Sequence, residues 1–297
     1  METLQIPDAA VDVTRVAGRV PRSRSWSEEE LQWLRTFKEP NVPLPDEDMQ
    51  FLVETLGRTR SAIRGQLRKM GLQRSYYVNE RFFDQWSAPM AWVLGLLHSS
   101  GHLRGRSAAA TWETSDAEVV QKVRACLDST HPIYVSHQGE CGRRPYYTLF
   151  IARQRLRAGI DTHVHVRLHA ERSKVPDVPT HLLPHFARGY FEGNGTICFG
   201  VESSSGPSVV VSGRTALLAD LRERLRSTGV DVPPSLSRRS QIKDTSVMAM
   251  SSRRAFRFAD FLYRDAPAAL SVERKRAVYV RCREWRISRG LEVPHGG

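Results

Sequence analysis

One short phrase occurs twice in this chain, and any fold has to give both copies the same environment. The first copy is Met90-Ala91-Trp92-Val93-Leu94-Gly95-Leu96-Leu97-His98-Ser99-Ser100-Gly101. The second is His185-Phe186-Ala187-Arg188-Gly189-Tyr190-Phe191-Glu192-Gly193-Asn194-Gly195. A single shift of 94 positions aligns Gly95 with Gly189 and Gly101 with Gly195. Each copy reads as an apolar helix that stops at a glycine and passes into strand-like text. The segments downstream of the two copies repeat as well. Short strand runs lead to an amphipathic helix, at 117–127 with Val119, Val123 and Leu127, and at 216–225 with Leu218, Leu221 and Leu225. Two more strand runs come next, at 132–135 and 146–151 in the first half and at 235–242 and 246–250 in the second. The pattern predicts an α+β fold in which two α-β-β-α-β-β-α repeats form a pseudo-two-fold pair.

In order and wording the pair resembles the single-chain, two-repeat form of the LAGLIDADG homing-endonuclease family, over about residues 86–290. Phe186-Ala187-Arg188-Gly189-Tyr190-Phe191-Glu192-Gly193-Asn194-Gly195-Thr196-Ile197 carries the likeness most closely. Val93 to Gly101 reads as a degraded copy, and Leu262-Tyr263 with Glu273-Arg274-Lys275 resembles the family's usual ending. The resemblance implies repeats at 86–178 and 179–290, with the motif helices side by side and Gly95 and Gly189 allowing close backbone approach. It also implies two sheets forming a saddle over double-stranded DNA, with alternate strand residues reading the major groove. Arg104, Arg106, Arg143, Arg144, Arg238, Arg239 and Lys243, on the predicted strands or their loops, are then candidate DNA contacts.

Active members of that family carry an acid at the penultimate position of each motif, where it holds divalent ions beside the scissile phosphate. Here those positions are Ser100 and Asn194. Both are neutral oxygen donors, whereas hard cations such as Mg²⁺ are normally held by at least one or two carboxylates. The expectation is a protein with no catalytic residue and no cofactor, Mg²⁺ entering only if the chain cleaves. Glu192 stands where the family has its other acid, resembling a structural helix-end group, and His98 is its counterpart in the first copy. A rescue of catalysis by Glu192, with His98 as base, is the alternative at this site. The readings left open are a non-cleaving, regulator-like DNA-binding protein, an active or nicking endonuclease with unorthodox ligands, and an intron RNA maturase.

The chain carries 44 Lys and Arg against 32 Asp and Glu, a formal charge of +12, which favours a polyanionic partner. Ahead of the repeats, Ser27-Glu28-Glu29-Glu30 is a capping box that starts a helix. A second helix is expected at 46–56, and after Gly57 a third carries Ile63, Leu67 and Met70 inward and ends at Gly71. Its other face presents Arg60, Arg64, Arg68 and Lys69, the long donors that a recognition helix needs. Trp26, Trp33, Leu56-Gly57-Arg58 and Lys69-Met70-Gly71-Leu72 resemble Myb/SANT-like helix-turn-helix modules, which implies such a domain at 25–75. A basic helix can also be only a solvated face, and SANT-type modules can bind protein. Residues 1–24, with Arg15, Arg19, Arg22 and Arg24, read as a flexible basic arm. Cys126, Cys141, Cys198 and Cys282 form no C-x-x-C pair, which points to neither zinc nor disulfides. The longest apolar stretch, Met90 to Leu97, is too short to span a bilayer, so no membrane partner is expected. The sequence-level expectation is an intracellular, pseudo-symmetric monomer.

Overall fold

The computed structural model describes residues 25–37, 46–72, 76–103, 109–136, 145–164, 174–200, 206–238 and 244–291. The chain divides into two compact units, Met1–Ser75 and Tyr76–Gly297. The expected basic arm lies outside the described residues.

In the first unit, helices α1 (Glu28–Phe37), α2 (Asp46–Leu56) and α3 (Arg60–Lys69) enclose Leu34, Met49, Leu52, Ile63 and Leu67. The capping box closes as its chemistry requires. The Ser27 amide donates to Glu30 Oε2 at 2.8 Å, and the Glu30 amide donates to Ser27 Oγ at 3.2 Å. The Glu30 carboxylate also receives Arg58, whose Nε reaches Oε1 at 3.0 Å and whose second guanidinium nitrogen reaches Oε2 at 2.9 Å. Arg58 further donates to the Ser25 carbonyl at 2.8 Å and lies 4.6 Å over the Trp26 ring. This buried, forked pair fastens the start of α1 to the turn before α3, and removing one partner would strand the other charge. Gly57, at φ +58°, supplies that turn, and Thr59 caps α3 by accepting from the Ala62 amide at 3.2 Å. At the other end Gly71, at φ +69°, lets the Leu72 amide close back on the Leu67 carbonyl at 2.8 Å.

The second unit begins at Tyr76. Val78 and Phe83 belong to its core, and the Asn79 amide donates to the Leu127 carbonyl at 2.9 Å. The first repeat runs α4 (Ala88–Ser100), β1 (Gly101–Leu103), β2 (Ala109–Thr114), α5 (Ala117–Cys126), β3 (Ile133–Ser136), β4 (Tyr146–Ala152) and α6 (Gln154–His163). The second runs α7 (Leu183–Asn194), β5 (Gly195–Cys198), β6 (Ser208–Arg214), α8 (Thr215–Ser227), β7 (Ser237–Arg238), β8 (Thr245–Ser251) and α9 (Ser252–Tyr263), followed by α10 (Glu273–Ser288). The expected α-β-β-α-β-β-α order is therefore present twice. Strand orders match as well, β1-β2-β4-β3 and β5-β6-β8-β7, all antiparallel. The strand expected over 235–242 is described only as Ser237–Arg238, because 239–243 lie outside the described residues. No described helix is long and apolar enough to cross a membrane.

Helices α4 and α7 meet at their glycines. A Cβ built on Gly95 would lie 2.2 Å from the Phe186 carbonyl oxygen and 2.7 Å from the Tyr190 amide nitrogen. One on Gly189 would lie 2.1 Å from the Trp92 carbonyl oxygen and 3.1 Å from the Leu96 amide nitrogen. Trp92 and Phe186, like Leu96 and Tyr190, are related by the shift that aligns the glycines, so the contacts are reciprocal, as a pseudo-two-fold axis requires. Every residue of α4 from Met90 to Ser99 is buried, which is why this helix is apolar on all sides. One core joins both repeats around the pair. Gly95→Ala and Gly189→Ala should each cost about 3 kcal/mol or more, because backbone atoms cannot rotate away. Gly65→Ala in α3, where no atom lies within 4 Å, should instead stabilise the first unit by about 1 kcal/mol. Urea unfolding followed by near-UV dichroism separates these cases, and a Gly95→Ala protein as stable as the parent would refute the backbone contact.

Candidate nucleic-acid interface and the ends of the paired helices

The last residues of α4 and α7 abut. A Cβ on Gly193 would fall 1.8 Å from Ser99 Oγ and 3.5 Å from Ser100 Oγ, so the end of one motif helix lies against the end of the other. Ser99 Oγ donates to the Leu96 carbonyl at 2.8 Å, and Ser100 Oγ reaches the same oxygen at 3.5 Å. The hydroxyls thus satisfy the closing turn of their own helix. Asn194 is half-buried and hydrogen-bonds Tyr190, whose hydroxyl is pushed up to about 12 by burial, with that bond opposing the rise. Among the described residues no group of three His, Cys, Asp or Glu could hold a metal ion.

Glu192 lies inside the core. Its Oε2 accepts from Trp92 Nε1 at 2.7 Å, and its Oε1 accepts from the Val272 amide at 2.7 Å and the Tyr263 hydroxyl at 3.1 Å. Burial pushes its carboxyl above the ordinary range, and the Val272 amide, the Trp92 indole, Arg188 and the Tyr263 hydroxyl pull it back. Lys275, also buried, donates to the carbonyls of Phe191 at 3.1 Å, Glu192 at 2.8 Å and Gly195 at 2.6 Å. Burial brings its ammonium down to about 8, and the site it fills is the negative end of the α7 dipole. Arg188 donates to the Leu270 carbonyl at 2.7 Å and the Leu262 carbonyl at 2.9 Å, and its third contact is His185 Nδ1 at 2.8 Å. Burial, then Arg188 and His181, hold His185 down to about 4, so this imidazole is neutral near pH 7 and Nδ1 accepts. His98, the counterpart of Glu192, is buried with Nδ1 at 2.8 Å from the Leu94 carbonyl and its ring edge-on to Phe186 at 5.4 Å. The sequence singles out Glu192 and His98 but not Lys275, Arg188, Trp92 or Tyr263 as their surroundings. The one signal it offers is an acid in an apolar helix, which must find donors somewhere.

Strand register assigns the candidate readers to faces. Trp112, Leu149 and Ile151 turn toward the helices, so their neighbours Thr111, Thr148 and Phe150 lie on the opposite face. In the second sheet Val209, Val211, Met248 and Met250 turn inward, leaving Val210, Ser212, Val247 and Ala249 outward. Arg238 is exposed, but it pairs with Ser246, which is buried on the helix side. It therefore sits at the sheet edge with inward parity and does not share the outward face, because side chains alternate along a strand. Its neighbour Ser237, paired with Val247, has the outward parity. Arg104, Arg106, Arg143, Arg144, Arg239 and Lys243 lie outside the described residues. On α3, Arg60, Arg64, Arg68 and Lys69 are all exposed, with Arg60 donating to Gln50 at 3.1 Å. Cys126 and Cys282 are pushed up to about 11, mainly by burial, which marks them as inert thiols.

No protein-family model matches the chain, and no curated relative does. Among solved structures it is similar to full-length DUF199/WhiA from Thermatoga maritima, with 12% identity and a TM-score of 0.44, covering 73% of this chain and 66% of that one, just under two thirds of its length. It is similar also to the homing endonuclease I-WcaI bound to its DNA recognition sequence, with 10% identity and a TM-score of 0.45 over 67% of this chain and 91% of that one. A third is I-DmoI in complex with DNA and Ca, with 13% identity and a TM-score of 0.43 over 67% of this chain and 97% of that one. The chemistry open to each helix end is set by this chain's own contacts. Since Trp92, Tyr263 and the Val272 amide all donate to the Glu192 carboxylate, Glu192→Gln would turn an amide against donors and should destabilise the second unit by about 1–3 kcal/mol. Unchanged unfolding in urea would place the acid outside this network.

Proposed function

We propose that the protein binds double-stranded DNA sequence-specifically without cleaving it, acting as a regulator-like pseudo-symmetric monomer. One observation carries this reading: the two motif helices end side by side in Ser100 and Asn194, while the one acid of the two motif phrases, Glu192, is consumed by three donors inside the core. Metal-assisted hydrolysis needs ions to generate a nucleophile and stabilise a leaving oxygen, and neutral oxygens supply no charge to hold them. The same commitment of Glu192 and His98 argues against a rescued endonuclease. The proposed contacts are Arg104, Arg106, Arg143, Arg144, Arg239 and Lys243 in the segments flanking the strands, with Arg238 at the edge of the second sheet as a phosphate contact. The first unit is proposed as a helix-turn-helix module that presents Arg60, Arg64, Arg68 and Lys69 to the duplex. The net charge of +12 supports a polyanionic partner for the whole chain.

The test is selection of bound duplexes from a random pool by the full chain, followed by incubation of the winners with Mg²⁺ or Mn²⁺. A shared sequence left uncut is the expected result. Efficient metal-dependent cleavage that Glu192→Gln abolishes would overturn the non-cleaving reading, and recovery of no common duplex would overturn the DNA reading.

Affinity should fall steeply with salt, by about 0.9 in log K per unit log salt for each phosphate neutralised. Arg64→Ala, if the side chain reaches a guanine edge, should cost about 1–3 kcal/mol at one base position. Filter binding against single-base variants reads both effects, and an equal loss on all sequences would make Arg64 a phosphate contact.

A further inference from the structure

We propose that Tyr134, Tyr146 and Phe150, on the outward face of the first repeat's sheet, recognise the 5-methyl groups of thymine in the major groove. The inference rests on the duplex-binding reading and adds which groups are read and by which repeat. Register makes these residues one patch: Tyr134 of β3 stands opposite Thr148 of β4, and Tyr146 and Phe150 flank Thr148 two residues to either side. Tyr134 is thus the diagonal neighbour of both, and the three rings line one stretch of the same face. Tyr134 is 54% and Tyr146 41% exposed, and Phe150 is half-buried beside them.

The chemistry of this face limits what it can read. Discriminating hydrogen bonds to base edges come from Arg, Lys, Asn, Gln or acids placed on the strands. On the described outward positions of this sheet the ionisable side chains are His102 and Glu113, which engage each other at 4.0 Å across neighbouring strands. The remainder is aromatic surface with hydroxyls. In an intact duplex the base faces are stacked and closed to the rings, and the only apolar group on the major-groove edges is the thymine methyl. Rings that gain by burying apolar area therefore have one kind of target there.

The second repeat supports the assignment by contrast. Its corresponding strands carry Thr245, Val247 and Ala249 where the first has Tyr146, Thr148 and Phe150, and Ser237 where the first has Tyr134. The same scaffold thus offers long aromatic arms on one half and short side chains on the other. Methyl reading should be confined to the half-site under the first repeat.

The probe is the duplex selected by the full chain, with thymines replaced one at a time by deoxyuridine, which removes the methyl and nothing else. Binding should weaken about fourfold at each contacted thymine, the effect of losing one buried methyl-sized group. In the triple variant Tyr134→Ser, Tyr146→Thr, Phe150→Ala, which installs the short side chains found in the second repeat, thymine and uracil duplexes should bind alike. Retained salt-dependent binding to unrelated duplex shows that the variant is folded. Indifference of the native protein to every uracil, or a penalty that persists in the variant, overturns the assignment while leaving duplex binding intact. Failure to select any duplex defeats the duplex reading and this one with it. Stronger binding to the single strand than to the duplex, lost in the variant, would also overturn it in favour of stacking on unpaired bases.

Discussion

Where α4 crosses α7 there are no side chains between the backbones. The oxygen of Phe186 occupies the space a methyl on Gly95 would need, and the oxygen of Trp92 does the same at Gly189. Approach this close is open only to glycine, and it makes the two helices a single packed object. Neither repeat could bury its own motif helix alone, since α4 is apolar all round and needs α7 against it. The pairing fixes the rest: each sheet continues directly from the end of its helix, at Gly101 and at Gly195, so the placement of the sheets is inherited from the crossing.

Around that crossing the second repeat carries most of the buried charge. Arg188, Glu192 and Lys275 sit within two turns of α7 or donate to its end, and each is satisfied by named partners. Three donors and a guanidinium nearby offset part of the cost of burying this carboxyl, because each lone pair it uses is met by a proton. It also ties α4 through Trp92, α9 through Tyr263 and the entry to α10 through Val272 into one junction. An acid with that duty cannot swing toward a phosphate without opening the core.

Much of the architecture was legible because its signals are local or periodic. The capping box, the glycine turn at Gly57 and the repeated Gly95 and Gly189 phrases depend on residues close in sequence or on a single shift. The partners of Glu192 were not legible, since Trp92 is 100 residues away and Val272 is 80, and no local pattern announces such a meeting. The role of Arg58 was hidden for the same reason: the sequence shows it only within the Leu56-Gly57-Arg58 phrase, whereas its partner Glu30 lies 28 residues upstream. Arg238 shows a third limit. A cation in a predicted strand does not reveal which face it takes, and a one-residue change in register decides that outright.

The two motif helices differ in how their last turns are satisfied, and the difference bears on the proposed binding. A helix C-terminus carries roughly half a negative charge, which repels an approaching phosphate. Here the carbonyls at the end of α7 are held by the Lys275 ammonium, a fixed internal cation, while the end of α4 turns its own serine hydroxyls back on the Leu96 carbonyl. One end is neutralised by charge and the other only by hydrogen bonds. A duplex laid across both would meet an electrostatically uneven centre, less repulsive over α7 than over α4. Taken with the aromatic patch on the first sheet and the short side chains on the second, this gives the two halves different chemistry on a nearly symmetric frame. A target that fits them would share the frame's spacing but not its symmetry.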